Sequence, residues 1–314
     1  MELLKELYRI YSPSGNEKRM RKFISAWVKN NIPQATIGRD QTGNLYITKG
    51  VSETYPCVVA HMDQVQHIHS RDFGCIEDKG VILGYSQNNK RQEGLGADDK
   101  NGIWVALKCL AKFDVLKCVF FVQEEAGCIG SARANMPFFE NCRFVLQCDR
   151  KNGGDLITAI GGWTELCSPE FLADIDNAEF GYRLENGMIT DVGMLKDNGL
   201  GVSAINLSCG YYNPHTDYEF TIVDELVNCL HFVEHIIEKC TKVYPHLDRD
   251  IRYASEYEKE DEYAELQYLI EDQLYYSPES TDEDILRNLD GMYLSVAKDE
   301  IVQMISDIRK RDYL

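Results

Sequence analysis

The chain is expected to fold as an α/β three-layer sandwich around a central mixed, mostly parallel sheet. Three observations predict this. Short apolar runs, such as residues 56–60 and 118–122, alternate with segments whose apolar residues recur at helical spacing. The runs are apolar without alternation, which is the pattern of strands covered on both faces. Five motifs bearing acid or imidazole also follow directly on strand candidates. Open α/β sheets bind their ligands at that place, outside the carboxyl ends of the strands.

Taken in order, residues 14–30 read as a helix. Ser14 followed by Glu17 has the form of a capping box, and Met20, Phe23, Ile24, Trp27 and Val28 recur on one face. Residues 43–47 are a turn and a short strand, residues 56–60 a buried strand, and residues 80–84 a strand after a Lys79-Gly80 turn. Residues 100–113 form a mostly buried helix with Ile103, Val105, Ala106, Leu107 and Leu110, and residues 118–122 are the next strand. A short helix starts over 130–135, and 144–148 is again a strand. Residues 155–160 and 164–168 are further strands, 171–177 a short helix and 201–208 a strand. A long helix over 221–240 places Ile222, Leu226, Cys229, Leu230, Val233, Ile236 and Ile237 on its apolar side.

The last stretch differs in composition. Residues 248–314 hold 19 acidic and 8 basic side chains, a large share of the net charge of -18. Thr281 with Asp284 has the form of a helix cap. Ile301, Met304, Ile305 and Ile308 make one helical stripe, and Tyr263, Leu266, Leu269 and Ile270 another. The expected division is a first domain over 1–247 and a small acidic helical extension over 248–314, linked near residues 250–262.

Composition excludes several classes. Apolar residues are 44% and charged residues 27%, so the chain is not intrinsically disordered. The negative charge argues against nucleic acid and anionic membranes, which require a basic stripe. Lys18, Arg19, Arg21 and Lys22, and Arg309-Lys310-Arg311, are too short for one. No run of about 20 apolar residues predicts a membrane span. The amphipathic residues 1–7 lack the form of a secretory leader. The 11 cysteines lie mostly in apolar segments and include no Cys-x-x-Cys pair. They read as buried free thiols of a reducing, cytoplasmic protein.

The five motifs carry the chemistry. His61-Met62-Asp63 ends one strand, and Gly96-Ala97-Asp98-Asp99-Lys100-Asn101-Gly102 opens a helix. Gln123-Glu124-Glu125-Ala126-Gly127 ends another strand, Asp149 ends a third, and Asn213-Pro214-His215-Thr216-Asp217 follows a fourth. Singly, each has an ordinary reading as a polar strand end or a helix-start acid. Together they offer two imidazoles and several carboxylates at rigid positions, enough for two divalent ions if one carboxylate bridges. One glutamate is then left over as a base.

In order, these motifs resemble those of the co-catalytic di-zinc exopeptidases, most of all the peptidase T branch. The likeness runs over residues 1–247 and extends to Pro13-Ser14-Gly15-Asn16-Glu17 and to Tyr218-Glu219-Phe220. It implies a zinc-exopeptidase fold and a catalytic domain over 1–247. It also implies two Zn²⁺ ions, with Mn²⁺ or Co²⁺ as substitutes. By position, Asp98 bridges, His61 and Asp149 complete one ion site, and Glu125 and His215 complete the other. Glu124 is the general base and Asp63 orients His61. Asp99 is a supporting or helix-cap group.

The chain departs from the pattern in its spacing. Only 65 residues separate Asp149 from His215, and 36 separate His61 from Asp98, too few for the domain that relatives insert at either place. A compact scaffold without a lid is expected, monomeric by default. An extra oxyanion donor must then come from elsewhere, with His67, His69, Tyr211 and Tyr212 as the candidates, or its work falls to zinc. The expected activity is that of a metallo-aminopeptidase on short peptides. The alternatives are a carboxypeptidase or N-acyl amino acid deacylase, kept open by Arg183 and Lys196 as carboxylate partners, and an inactive interaction module.

Overall fold

The computed structural model describes residues 1–162, 164–247, 266–267, 269–271, 273–274, 280–289 and 298–311. The chain divides into two compact units, Met1–Leu247 and Asp248–Leu314. In the first unit the strands are β1 (Thr36–Arg39), β2 (Leu45–Lys49), β3 (Tyr55–His61), β4 (Phe73–Asp78), β5 (Val81–Ser86), β6 (Arg91–Glu93) and β7 (Leu116–Phe121). They continue as β8 (Cys142–Arg150), β9 (Asp155–Ile160), β10 (Thr164–Glu165), β11 (Arg183–Gly187), β12 (Ala204–Ser208), β13 (Tyr211–Tyr212) and β14 (Phe220–Ile222). The helices are α1 (Glu2–Tyr8), α2 (Lys18–Asn31), α3 (Ala97–Lys112), α4 (Ile129–Ala132), α5 (Pro169–Asp174), α6 (Asp191–Asp197) and α7 (Val223–Lys239).

The main sheet has the order β1-β2-β7-β3-β8-β12-β9-β10, and β11 also pairs with β9, in parallel. Its four central strands, β7, β3, β8 and β12, are mutually parallel. Strand side chains alternate between faces, and both faces are covered. Val58 and Ala60 of β3, with Cys118 and Phe120 of β7, join one core that includes residues of α1, α2, α3 and α7. Cys57 and Val59, with Val119 and Phe121, join a second core with Val192 and Leu195 of α6. The three-layer α/β sandwich read from the sequence is therefore the observed one.

A second, antiparallel sheet pairs β13-β14-β5-β4, with β6 on β5. It absorbs the residues between His61 and Asp98 and joins them to the segment around His215. The sequence reading has one strand at 80–84 there and no second sheet. Pairings such as Leu83 with Phe220 span too many residues to leave a local signal.

Helix starts differ in an instructive way. Residues 14–17 do not form a capping box, because α2 begins at Lys18 and receives no side-chain cap. Ser14 instead donates to Asp63, and Glu17 accepts from the N–H of Gly15 and of Gln123. The helix expected at 171–177 begins earlier, because Ser168 accepts from the N–H of Phe171 and Pro169 takes the first helical position.

In the second unit, helices cover Asp282–Leu289 and Lys298–Arg311. Thr281 and Asp284 do form the reciprocal cap, Asp284 N donating to Thr281 Oγ1 at 3.2 Å and Thr281 N to Asp284 Oδ2 at 3.1 Å. Leu266, Ile270, Ile285, Ile301, Ile305 and Ile308 are buried together. Tyr263 and the linker at 250–262 lie outside the described residues.

Candidate metal centre

Four parallel strands side by side bring their carboxyl ends to one edge, with neighbours about 4.8 Å apart. His61 is the last residue of β3, Asp149 is next to last in β8, and Glu124 and Glu125 lie in the loop after β7. The chain leaving β12 turns through β13 and presents His215. Asp98 comes from the start of α3, where its own φ/ψ and those of Asp99 are not helical.

These side chains converge. His61 Nε2 lies 3.0 Å from Asp98 Oδ1, 3.6 Å from Asp149 Oδ1 and 3.9 Å from Glu124 Oε2. His215 Nε2 lies 3.3 Å from Asp98 Oδ2 and 3.1 Å from Glu125 Oε2. Two groups of possible ligands result, His61-Asp98-Asp149 and Asp98-Glu125-His215, each with its donor atoms within 4.8 Å of one another. Asp98 belongs to both, and each of its oxygens faces a different histidine.

The donor chemistry fits two divalent cations. Nitrogen and carboxylate oxygen are borderline-to-hard ligands suited to Zn²⁺, Mn²⁺ or Co²⁺. Glu125 Oε1 is buried without a hydrogen-bond partner. Four carboxylates here share two imidazoles: at Asp98 burial is outweighed by His215 and His61, which hold it well below the carboxylate range, while the other three are raised. Burial, and then the charge of Asp98, hold Asp149 well above the carboxylate range. Burial also raises Glu124, with Asp149 and Asp191 adding to it, and raises Glu125, with Asp98 adding to it. Burial alone would lower both imidazoles. Asp149, Asp63 and Asp98 outweigh it at His61, and Glu125 and Asp98 at His215, so both are held well above the usual imidazole range. Cations would relieve all of these groups at once.

Behind the donors lies a set of fixed braces. Asp63 Oδ1 accepts the N–H of Glu124 at 3.0 Å, and Oδ2 accepts the N–H of Glu125 at 3.2 Å and the hydroxyl of Ser14 at 2.8 Å. Its Oδ1 also lies 3.3 Å from His61 Nδ1, though not aligned as a hydrogen bond. Asp99 accepts from the N–H of His61 at 3.1 Å and of Gly102 at 2.9 Å, so it clamps a strand end and starts a helix. Gln147 Nε2 donates to Asp149 Oδ2 at 3.0 Å, and the Tyr211 hydroxyl donates to Asp149 Oδ1 at 3.3 Å.

A buried polar chain runs beneath Asp98. Glu219 Oε1 accepts the Asp98 N–H at 3.2 Å, and its Oε2 accepts from Gln66 at 3.1 Å. Gln66 accepts from Gln64 at 3.0 Å, which accepts from Lys100 Nζ at 2.5 Å. Burial and the nearby Asp98 push Glu219 up to about 7, and burial pulls Lys100 down to about 7.

The residues considered as oxyanion donors fall elsewhere. Tyr211 is spent on Asp149, and Tyr212 donates to both oxygens of Glu225. His69 stacks between Tyr11 and Phe73 with Nε2 on the Arg9 carbonyl, and His67 is exposed. Of the two cations considered for a substrate carboxylate, Lys196 donates to the carbonyls of Leu200, Val202 and His246, and Arg183 is exposed on β11.

Sequence reasoning passed over Asp191 and Gln147. Asp191 is fully buried, and its Oδ1 lacks a hydrogen-bond partner. Burial pushes it up to about 7. Its only sequence signal is an acid at a helix start, which any surface helix also shows.

Comparison with known proteins gives the fold a context. No family model matches the chain. A segment of 94 residues is 32% identical to a protein of Pyrobaculum aerophilum described as a LysW-lysine/LysW-ornithine hydrolase; it covers 27% of this chain and 26% of that protein. The chain thus spans about a quarter of the length of the curated relative it matches. Among solved structures, aminopeptidase PepT of Bacillus cereus superposes with a TM-score of 0.59 at 14% identity, covering 76% of this chain and 97% of that one. A tripeptidase of Staphylococcus aureus gives 0.58 at 16% identity with the same coverage. An aminopeptidase of Desulfurococcus kamchatkensis gives 0.57 at 18%, covering 76% and 94%. The chain therefore shares the fold of these peptidases, with two overlapping clusters of possible metal ligands among the described residues near the ends of its central strands.

Proposed function

We propose that the protein is a metallo-aminopeptidase that removes N-terminal residues from short peptides, with residues 1–247 as its catalytic domain. The observation that carries the reading is Asp98. One of its oxygens lies 3.0 Å from His61 and the other 3.3 Å from His215, the arrangement of a bridging ligand between two ion sites. His61, Asp98 and Asp149 would hold one zinc, and Asp98, Glu125 and His215 the other; Mn²⁺ or Co²⁺ would suit the same donors. Such a pair, when bound, polarises a scissile carbonyl, stabilises the charge that develops on it, and lowers the pKa of an attacking water.

Glu124 then acts as the general base and acid. It takes the proton of the water and returns it to the leaving amine. Its burial among Asp149, Asp191 and Glu125 raises its proton affinity, which suits a group that must keep a proton between two steps. Asp63 orients His61 and, through the two N–H groups it accepts, holds the backbone that carries Glu124 and Glu125. The excess of carboxylates favours a substrate with a cationic end, and Lys196 is already committed to three carbonyls. Both features support a free α-amine over a free α-carboxylate.

The match to a hydrolase of LysW-lysine and LysW-ornithine favours a second reading, an amide hydrolase acting on N-acyl amino acids or from the carboxyl end. One screen separates the two. Free, N-acylated and C-amidated di- and tripeptides are incubated with the full chain and Zn²⁺, Mn²⁺ or Co²⁺. Turnover that requires the free amine is the expected result. Turnover that survives N-acylation but is abolished by C-amidation selects the second reading.

A further inference from the structure

The two oxygens of Glu124 have different neighbours. Oε2 is the one that faces the centre, 3.9 Å from His61 Nε2. Oε1 accepts a hydrogen bond from Cys128 Sγ at 3.4 Å. The thiol is fully buried. We propose that Cys128 is a positioning residue: its S–H holds Oε1 and thereby reserves Oε2 for exchanging the proton in the hydrolytic reaction. The proposal rests on the reading of Glu124 as the base.

Local geometry supports this. Cys128 is the N-cap of α4 and has a left-handed backbone, φ +53°. Its N–H donates to the carbonyl of Glu124 at 2.7 Å, so backbone and side chain both turn back on the same residue. Ser131 Oγ donates to the Cys128 carbonyl at 3.1 Å, and Asn198 Nδ2 donates to the Ser131 carbonyl at 3.1 Å. The loop is therefore braced by the chain that follows α6. Burial, with Glu124 and Asp191 adding to it, holds the thiol well above its ordinary value, so it remains protonated and can donate. A weak donor in a dry site is enough to choose between two oxygens that are otherwise equivalent.

The test compares Cys128→Ala with Cys128→Ser in the metal-loaded enzyme. Both variants carry a side chain at the same left-handed position, so backbone strain cancels between them. Loss of one buried hydrogen bond is expected to lower kcat roughly 3- to 10-fold for Cys128→Ala, with KM and metal content held within about twofold. Cys128→Ser, which keeps a donor, recovers most of the loss. In a Glu124→Gln background, Cys128→Ala adds no further fall. Equal losses for Ala and Ser, or an undiminished loss in the Glu124→Gln background, overturn the proposal.

A second measurement does not need turnover. The Raman S–H stretching band of Cys128, isolated by subtracting the Cys128→Ala spectrum, is expected below the free-thiol position and should move back towards it in Glu124→Ala. A band already at the free-thiol position overturns the contact itself. A lowered band in a protein that hydrolyses none of the amides overturns the hydrolase reading and leaves the contact standing.

Discussion

The two halves of the centre are built differently. The His61 half is part of the sheet: His61 closes β3 with its side chain 0% exposed, and Asp149 sits in β8 with its side chain 8% exposed. Gln147, Tyr211 and Asn206 hold Asp149 through side chain and backbone. The His215 half is completed from a loop between β13 and β14. There the His215 side chain is 43% exposed and its backbone left-handed, φ +64°. A ligand on a strand end is placed by the fold, whereas a ligand on an exposed loop is placed by the loop and by what it binds. On the proposed reading, the first half would therefore be the tighter site, and the second would release its ion first.

The most severe break of this contrast removes the residue common to both halves. Asp98→Ala is expected to lose both ions and more than about 10⁴-fold of activity, because the Lewis acid and its paired base fail together. Metal content by mass spectrometry checks it, and an unchanged ion count would sink the bridging assignment. Glu124→Gln leaves both halves intact and isolates the chemistry. Both ions stay bound while turnover falls about 10²–10⁴-fold. Near-normal turnover with full metal content would refute Glu124 as the base.

How much of this was visible in the sequence follows from the same contrast. His61, Glu124, Glu125 and Asp149 stand out because each ends or follows an apolar run, and strand ends are where an α/β sheet places chemistry, whereas Asp98 stands out as one of two adjacent acids in a glycine-rich stretch before a helix. His215 was found through its motif, since its loop has no periodicity of its own. What was missed is what only distant contacts create. Ser14-x-x-Glu17 satisfies the capping-box pattern, yet both side chains are taken by Asp63 and by Gln123, residues far along the chain. Asp191 is a charged residue that a sequence reads as solvent-facing, but it is buried, and the burial of the motif residues Lys100 and Glu219 has no local signal either. The second sheet joins residues 81–83 to 220–222, and no local pattern encodes that pairing.

Asp63→Asn sharpens the comparison on the tighter side. Removing the charge behind His61 is expected to weaken metal binding about 10- to 100-fold. The loss should be larger for the first ion than for the second, read by competition with a fluorescent chelator. Acid sharpens it on both sides. In the metal-free protein, Asp149 and Asp63 at His61, and Glu125 and Asp98 at His215, raise both pKa values, so each imidazole carries a proton further up the pH scale than usual. An ion must displace that proton. Affinity therefore rises with pH and falls as pH drops, by up to about tenfold per unit for each proton released. Calorimetry in buffers of different ionisation enthalpy counts the protons, and an enthalpy independent of buffer would contradict the sign.

The smallest expected effect lies furthest from the ions. Ser14 is exposed on the chain before α2, and its hydroxyl reaches Asp63 Oδ2 at 2.8 Å. That oxygen also accepts the Glu125 N–H, so Ser14 acts on the looser half through Asp63 and the backbone of Glu125. In Ser14→Ala a water can take the vacated place on an exposed edge, so the cost is far below that of a buried hydrogen bond. A fall of about 2- to 5-fold in kcat is expected, with the first ion unaffected and the second released slightly sooner to a chelator. The ordering of these two ions is the discriminating readout. Faster loss of the His61 ion instead would mean that Asp63 transmits the change through His61 Nδ1, and that the two halves are more tightly joined than their burial implies.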